Sequence, residues 1–590
     1  MSILAPPRLH FRGMFTTNVD TANNDDIVRV IDDVAVKVET AGLSDEDFIR
    51  WMEGTITSGG PQPRETIRAS WNYYGTNGCG FEQCPITSVD LPDGRRVTSP
   101  GEEPLIGGSV FLGLAAQRNT GIMVDLDPEG VIATQIFADA VRIMSGGTQA
   151  LRGAPTVAHS RWLSFERNLG LPGFGGASAV WQMALPAASL QFAPNVSPTL
   201  DALRDLAAQR RGLVMRFCTY ALAPRISQSE LAERFRNGQK DQNPAIGWVV
   251  GTIGLWDEGE VGSASADRRL HPSGSVSLDH RAVRLGPAAA RIDLGRNVVA
   301  LDLVTAFPEV DGSLEKADLG TVTVAVVAAN GTVTPLGRVD YDRTTYEEAA
   351  GIVEIPFPAS ASGAAAAGRL QVIHDASAMA LLDEADITIE TDDRNLYLQE
   401  GETREVTLQF SQRGVAPGER LSAVTLQYVT SNKAQPAQPS PVEQHVVLTP
   451  DRVECDESGV ATFTIRAITP GTCAVAFQHE EEPAGELDAT LGAFFNVRVF
   501  PADDYSGVPD NDLTFEFLYR EVLRYYHLVY PGMSRIFPLN NEEAVRENAE
   551  AILERIDPAR WAAWEFMPRT REMSAGKRAL LSRWCRLQTT

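Results

Sequence analysis

Residues 321–339 read TVTVAVVAANGTVTPLGRV, and this stretch decides the class of the fold. From Thr321 to Val327 and again from Thr332 to Val339 the residues alternate or are β-branched, which suits a pleated, half-buried strand. Between them stands Asn330-Gly331, a dipeptide that accepts positive φ. A hairpin closed by a type I′ turn is predicted.

Segments of the same kind recur on both sides. Short strands dominate up to about residue 500, with few helical interruptions. Ser44 to Met52 predicts a helix, with a capping-box-like Ser44 and Asp47 and with Phe48, Trp51 and Met52 on one face. Ser197-Pro198 opens a second, carrying Leu200, Leu203 and Leu206 and stopping at Gly212. Ser227 to Arg236 predicts a third, closed by Asn237-Gly238. Residues 1–380 thus form a large β-rich domain or two packed subdomains. From 385 to 502, seven short alternating segments separated by Gly, Pro and Asp turns predict an immunoglobulin-like sandwich: Asp386–Glu390, Arg404–Phe410, Ser422–Val429, His445–Leu448, Gly459–Ala467, Gly471–Phe477 and Gly492–Phe500. From 508 to 590 the period becomes helical. Phe515, Leu518, Val522, Tyr525, Tyr526 and Val529 recur at three- and four-residue steps until Pro531, a second helix follows the cap at Asn540, and a third starts at Asp557-Pro558. The fold class is mainly β, with a small C-terminal helical cap.

Composition bounds the function. The chain has 590 residues, 43% of them apolar, which is enough for several buried cores. A net charge of -25 argues against nucleic acid and anionic membranes, since both require a basic surface. The basic residues Arg569, Arg571, Lys577, Arg578, Arg583 and Arg586 read as an exposed face of terminal helices. No apolar run reaches the ~18 residues of a membrane helix, the N-terminus lacks the regions of a signal peptide, and the six cysteines are widely spread. A cytoplasmic location is expected.

Several stretches, in chain order, carry a resemblance. Met1-Ser2-Ile3-Leu4, Pro7-Arg8, His10-Phe11-Arg12-Gly13, Asn18, Thr21-Ala22-Asn23 and Asp25 make up the first. Asn72 to Glu82, Arg161-Trp162, Gly254-Leu255-Trp256 and Asn395 to Leu398 come next, and then Phe517 to Arg520, Tyr525-Tyr526, Leu528 to Pro531, Met533-Ser534 and Met567 to Ala575. On these residues the chain resembles the non-ferritin part of the iminophenyl-pyruvate dimer synthases, or chromopyrrolate synthases, of violacein and rebeccamycin biosynthesis. The resemblance implies coupling of tryptophan-derived imines, and a ferritin-like metal domain beginning close to Arg578.

The sequence itself is sparing with catalytic motifs. No dinucleotide fingerprint follows a strand, there is no Walker loop and no Gly-x-Ser-x-Gly elbow, and the glycines of Gly170 to Gly176 have the wrong spacing. Cys79 and Cys84 form a single C-x4-C pair, read as structural thiols in a loop. No Glu-x-x-His occurs, so a ferritin-type di-iron centre needs another chain. Three polar clusters are candidate ligand sites. Arg8, His10 and Arg12 share one face of a period-two strand and suit a carboxylate, with tethering of the acidic segment Asp20 to Asp33 as the structural alternative. His159 with Arg161 and Trp162 is the second, and the loop holding Trp71, Asn72 and Tyr73 is the third. Tyr519, Tyr525, Tyr526, Tyr530, Trp561 and Trp564 are candidate partner anchors, unless they pack against the sandwich.

Three functions remain open. The first is a binding or assembly subunit of an oxidative tailoring system for amino-acid-derived metabolites, without a cofactor of its own and paired with a separate ferritin-like or oxidase subunit. The second is a stand-alone imine-coupling enzyme holding a haem, with His10 or His159 as axial ligand. The third is a carbohydrate- or peptide-binding β-protein.

Overall fold

The computed structural model describes residues 3–18, 28–31, 35–38, 42–49, 78–82, 84–115, 118–126, 133–164, 177–221, 230, 237, 246–274, 276–278, 281–283, 285–309, 315–428, 445–450, 452–479, 493–529, 533 and 536–589. The fold is mainly β. Among the described residues, three bodies of sheet and a helical cap carry the main cores.

The first body is a fourteen-stranded antiparallel sheet centred on strand Arg8–Asn18, which pairs with Ile246–Trp256, Gly78–Glu82 and Cys84–Asp90. Period two divides this strand between two environments: Leu9, Phe11 and Phe15 enter the first core beside Phe81, Phe217 and Trp181. Arg8, His10 and Arg12 point the other way. The sheet is rolled, so that its end strand Gly121–Asp125 returns to Gly78–Glu82, where a Cβ on Gly121 would lie 2.4 Å from the Cys79 carbonyl oxygen. Only glycine allows that approach.

The second body is an eight-stranded antiparallel sheet spanning Arg268–Pro272 to Met379–Glu384. One face carries its own core, including Leu270, Leu301, Phe307, Val324 and Leu382. On the other, Ala289, Ala300 and Ile352 meet Val214 and Trp256 of the first sheet and Ile3 and Leu4 just before its strand Arg8–Asn18. Small side chains on that face let the two sheets stack closely. The hairpin Val322–Val327 and Val333–Arg338 lies at its edge. Its turn differs from the type I′ expected: Gly331 has φ +83° but Asn330 does not share the positive φ, and the Gly331 N–H donates to the Ala328 carbonyl. The geometry is a type I turn closed by a left-handed glycine, the three-residue hairpin loop.

Among the described residues the sandwich has nine strands rather than seven, in sheets of four and five around Leu396, Phe410, Phe463, Phe495 and Val497. The two extra strands are Asn395–Gln399, which runs parallel to Ala493–Phe500, and Arg452–Glu454. Asn395–Gln399 is buried at its first four positions and so shows no alternation, and Arg452–Glu454 has only three residues.

The cap is helical, but its details depart from the sequence pattern. Phe515–Leu518 and Arg524–Val529 flank a π-helical turn, Tyr519–Leu523. The second helix is capped by Asn541, one residue later than expected, and Asp557 caps only the 3-10 turn Pro558–Arg560. A terminal helix, Ala575–Thr589, buries Leu581, Trp584 and Cys585. The early helix belongs here too: residues 45–49 are helical, Ser44 Oγ accepts from the Asp47 N–H, and Phe48 enters the cap core. The helix Pro198–Ala208 is capped by Ser197 and ends before Gly212, which already opens a strand. The helix expected over 227–236 lies almost entirely outside the described residues, as does Gly170 to Gly176. Cys79 and Cys84 stand in strands, not in a loop, and all six cysteines are buried free thiols.

The candidate partner anchors are turned inward. Tyr526 is buried and donates to the Glu572 carbonyl, Tyr525 donates to the Glu572 carboxylate at 2.9 Å, and Tyr519 bonds to His527 Nδ1 at 2.8 Å. Trp561 packs edge-on against Phe137 of the first sheet and Tyr397 of the sandwich, and Trp564 joins Ile122, Val124 and Phe137. Tyr530 lies outside the described residues. The basic face is likewise partly internal, since Arg571 is 2% exposed with its guanidinium 3.6 Å from the centre of the Phe137 ring. Among the described residues no helix is long and apolar enough to cross a membrane.

Candidate functional site

Where first sheet, second sheet and sandwich meet lies a polar, partly open cavity of about 50 Å³. Its walls include four arginines from four segments: Arg161 on Ala158–Ser164, Arg216 on Gly212–Ala221, Arg269 on Arg268–Pro272 and Arg394 just before Asn395–Gln399. On Gly212–Ala221, alternation places apolar neighbours in a core and the arginine on the opposite face. Arg216 shows this clearly, standing between Met215 and Phe217 of the first core.

Of the acids near the four guanidinium groups, Glu390 lines the cavity, while Asp302 and Asp267 act on Arg216 and Arg269 from outside its lining. Glu390, the last residue of strand Ile387–Glu390, accepts from Arg161 and, at 3.0 Å, from Arg269. Asp302 pairs with Arg216. Arg394 is 2% exposed, donates to the Phe494 carbonyl and lies with its guanidinium 4.0 Å from the centre of that residue's ring. Arg161 Nη1 and Arg394 Nε are buried with no hydrogen-bond partner among the described residues. An unmade bond to a buried charged donor costs about 1 to 3 kcal/mol or more, so these atoms mark an appetite for an acceptor.

The electrostatics agree. Burial, with Arg269 next, pulls Arg216 down to about 10; burial and Arg161 hold Arg394 well below its ordinary range. A guanidinium does not shed its proton at neutral pH, so both groups stay cationic despite their burial. Burial pushes Glu390 upward, yet Arg161 and Arg269 outweigh it and lower the carboxyl overall. Gln182, Ser263, Ser265 and Thr305 add neutral polar groups to the lining.

Of the residues singled out from sequence, Arg161 and Trp162 line this cavity and His159 lies beside it, its Nδ1 bonded to Asn395 at 2.9 Å. Burial, then Arg161 and Arg394, lower His159 to about 3, so its ring is neutral. The Arg8 cluster lies elsewhere, between the two sheets. Arg8 donates to Asp90 at 2.7 Å and to Glu354, His10 bridges Thr252 at 2.9 Å and Asp90 at 3.0 Å, and Arg12 pairs with Glu347. These acids are partners among the described residues; the aspartates of the segment Asp20 to Asp33 lie outside them. Both His10 ring nitrogens are engaged, so axial ligation of haem there would break a buried hydrogen bond. Trp71, Asn72 and Tyr73 lie outside the described residues. Among the described residues no group of three or more metal-ligating side chains occurs.

Sequence reading missed Arg216, Arg269, Arg394, Glu390 and Asp302. The available signal was charge inside apolar strands, as in Met215-Arg216-Phe217 and Val299-Ala-Leu-Asp302, which calls for a buried partner.

No family model matches the chain. The 2-imino-3-(indol-3-yl)propanoate dimerase of Chromobacterium violaceum is 25% identical over 646 residues, covering 99% of this chain and 58% of that protein. The dichlorochromopyrrolate synthase of Lentzea aerocolonigenes is 29% identical over 157 residues, covering 23% of this chain and 15% of that protein. Among solved structures, the D0-D1 domain of Intimin aligns with 35% of this chain and 91% of its own, at 12% identity and TM-score 0.16, an overlap that carries no argument. The chain is therefore similar to the imine dimerase almost from end to end while spanning 58% of that protein's length, and it shares a shorter stretch with a chromopyrrolate synthase.

Proposed function

We propose that this chain is the β-rich binding part of an oxidative system for amino-acid-derived secondary metabolites, and that it holds the carboxylate end of a small metabolite in the arginine cavity. The observation that carries this is the pair of unpartnered donors, Arg161 Nη1 and Arg394 Nε, buried on two of the four arginines that line a cavity holding one carboxylate, Glu390. A carboxylate takes charge-assisted hydrogen bonds from such a pair, and the neutral lining groups serve its second oxygen. Volume restricts the ligand. At about 50 Å³ the cavity is far below the roughly 300 Å³ of a site that swallows a whole drug-sized molecule. It takes an anionic end group, with any aromatic body left outside.

The names of the two similar proteins, an imine dimerase and a chromopyrrolate synthase, support the metabolite class. In this reading the arginines bind and orient, and oxidation falls to a separate ferritin-like or oxidase partner. The test is calorimetric titration with pyruvate at low ionic strength. Saturable binding is expected, weakened by roughly tenfold or more in Arg161→Gln, the value of one charge-assisted hydrogen bond. Absence of saturable binding in the unaltered protein, or equal affinity in the variant, would refute the reading.

A further inference from the structure

Glu390 occupies the cavity in an unusual way. Its two oxygens are divided between two bodies of the protein, one accepting from Arg161 of the first sheet and the other from Arg269 of the second. Neither guanidinium is gripped through both its parallel N–H groups, and Arg161 keeps Nη1 unpartnered. A carboxylate is thus already seated among the arginines, but with fewer bonds than a free one could make.

Its tether is slender. Strand Ile387–Glu390 is the edge of its four-stranded sheet and, among the described strands, pairs only with Thr403–Gln412, so Glu390 ends a segment held along one side. Beyond it, Asp392 accepts from the Gly262 and Ser263 N–H groups at 3.0 and 2.9 Å, and Ser263 Oγ donates to the Thr391 carbonyl at 3.1 Å. That clasp fixes the chain on one side of Glu390 while leaving the side chain itself held only through its carboxylate.

We infer that Glu390 is a built-in competitor: an internal carboxylate that an entering ligand displaces from Arg161 and Arg269, loosening the sandwich from the two sheets as it binds. The inference rests on the carboxylate-binding reading of the cavity. It makes binding and the grip between the bodies linked quantities, because both draw on the same guanidinium groups. Displaced, Glu390 keeps its charge only if it reaches water, so the unaltered protein should bind small carboxylates more weakly than the bare arginine set would.

Carboxylate rescue tests this. Glu390→Ala removes the competitor and leaves its guanidinium partners buried, so the variant should melt below the unaltered protein. Acetate should restore the melting temperature saturably, whereas chloride at equal ionic strength and neutral acetamide should not. Acetate affinity in Glu390→Ala should exceed that of the unaltered protein by about tenfold or more, one charge-assisted hydrogen bond. Glu390→Gln, which preserves shape, serves the same comparison if the alanine variant does not fold, and should also bind acetate more tightly than the unaltered protein. If the unaltered protein binds pyruvate and loses it in Arg161→Gln, yet neither Glu390 variant gains affinity for acetate, the competitor inference fails while the cavity reading stands. If none of these proteins binds a carboxylate saturably, both fall together.

Discussion

His159 shows how one residue's surroundings become a property of the whole protein. Burial first, and then Arg161 and Arg394, lower its folded pKa to about 3, against 6.5 for the ordinary side chain. Between these values the unfolded chain binds a proton that the folded one refuses, so stability falls as pH drops through this window. By pH 4.5 the loss amounts to roughly 2 to 3 kcal/mol from this residue alone. His10, lowered to about 4 chiefly by burial, acts in the same sense. Asp90 does not contribute there. Burial pushes it upward, but Arg8 and His10 prevail and hold it well below the usual carboxylate range, so it keeps its stabilising charge above pH ~4 and loses it only under stronger acid. Melting temperatures at pH 7 and 4.5 should therefore differ less in His159→Gln than in the unaltered protein; equal differences would contradict the assignment. His159 and Arg161 were legible as a polar cluster because they stand two apart on one strand. Arg216, Arg269 and Arg394 were not, because only the stacking of separate sheets brings them to the same place.

At the scale of elements, alternation and turn chemistry make most strands readable, and errors collect where local signals are short or shared. Asn330-Gly331 announces a hairpin correctly but permits two turn types, and the extra residue Ala329 in the loop selects the one with a single left-handed position. The consequence is measurable. Gly331→Ala should cost about 1 kcal/mol through its φ of +83°, a roughly fivefold loss of hydrogen-exchange protection in the hairpin amides, since no atom lies within 4 Å of the new Cβ to add a clash. Asn330→Ala should cost less than half as much, losing only the side-chain acceptor for the Thr332 N–H. Equal losses at both positions would restore the type I′ turn. The same logic explains the run from Phe515 to Val529. Its apolar steps at three and four residues are real, yet the π-helical turn Tyr519–Leu523 adds a residue in mid-run and rotates the downstream helix, turning Tyr525 and Tyr526 to Glu572.

For the molecule as a whole, periodicity identifies which faces are apolar without saying what covers them, and the cap illustrates the limit. Its aromatic residues suggested a foreign surface; of those described, Tyr526 is buried and Tyr519, Tyr525, Trp561 and Trp564 are half-buried. Trp561 has a particular place among them, because it touches both the first sheet, through Phe137 at 5.5 Å between ring centres, and the sandwich, through Tyr397 at 5.2 Å. Arg571 lies over the Phe137 ring, 3.6 Å from its centre, while Arg498 of the sandwich pairs with Glu572 of the cap at 3.5 Å. Trp561 is thus a wedge between bodies rather than part of one core. Replacing it with alanine removes a large aromatic contact of the kind that costs about 3 to 5 kcal/mol when fully buried. Because each body has its own core, the loss should appear as undocking of the cap and not as unfolding of the sandwich. Limited proteolysis of Trp561→Ala should cut between the sandwich and the cap while the sandwich fragment stays resistant, and Trp561→Phe should recover most of the protection. A variant as resistant as the unaltered protein would mean that the cap is held by the Arg498 and Arg571 contacts without Trp561.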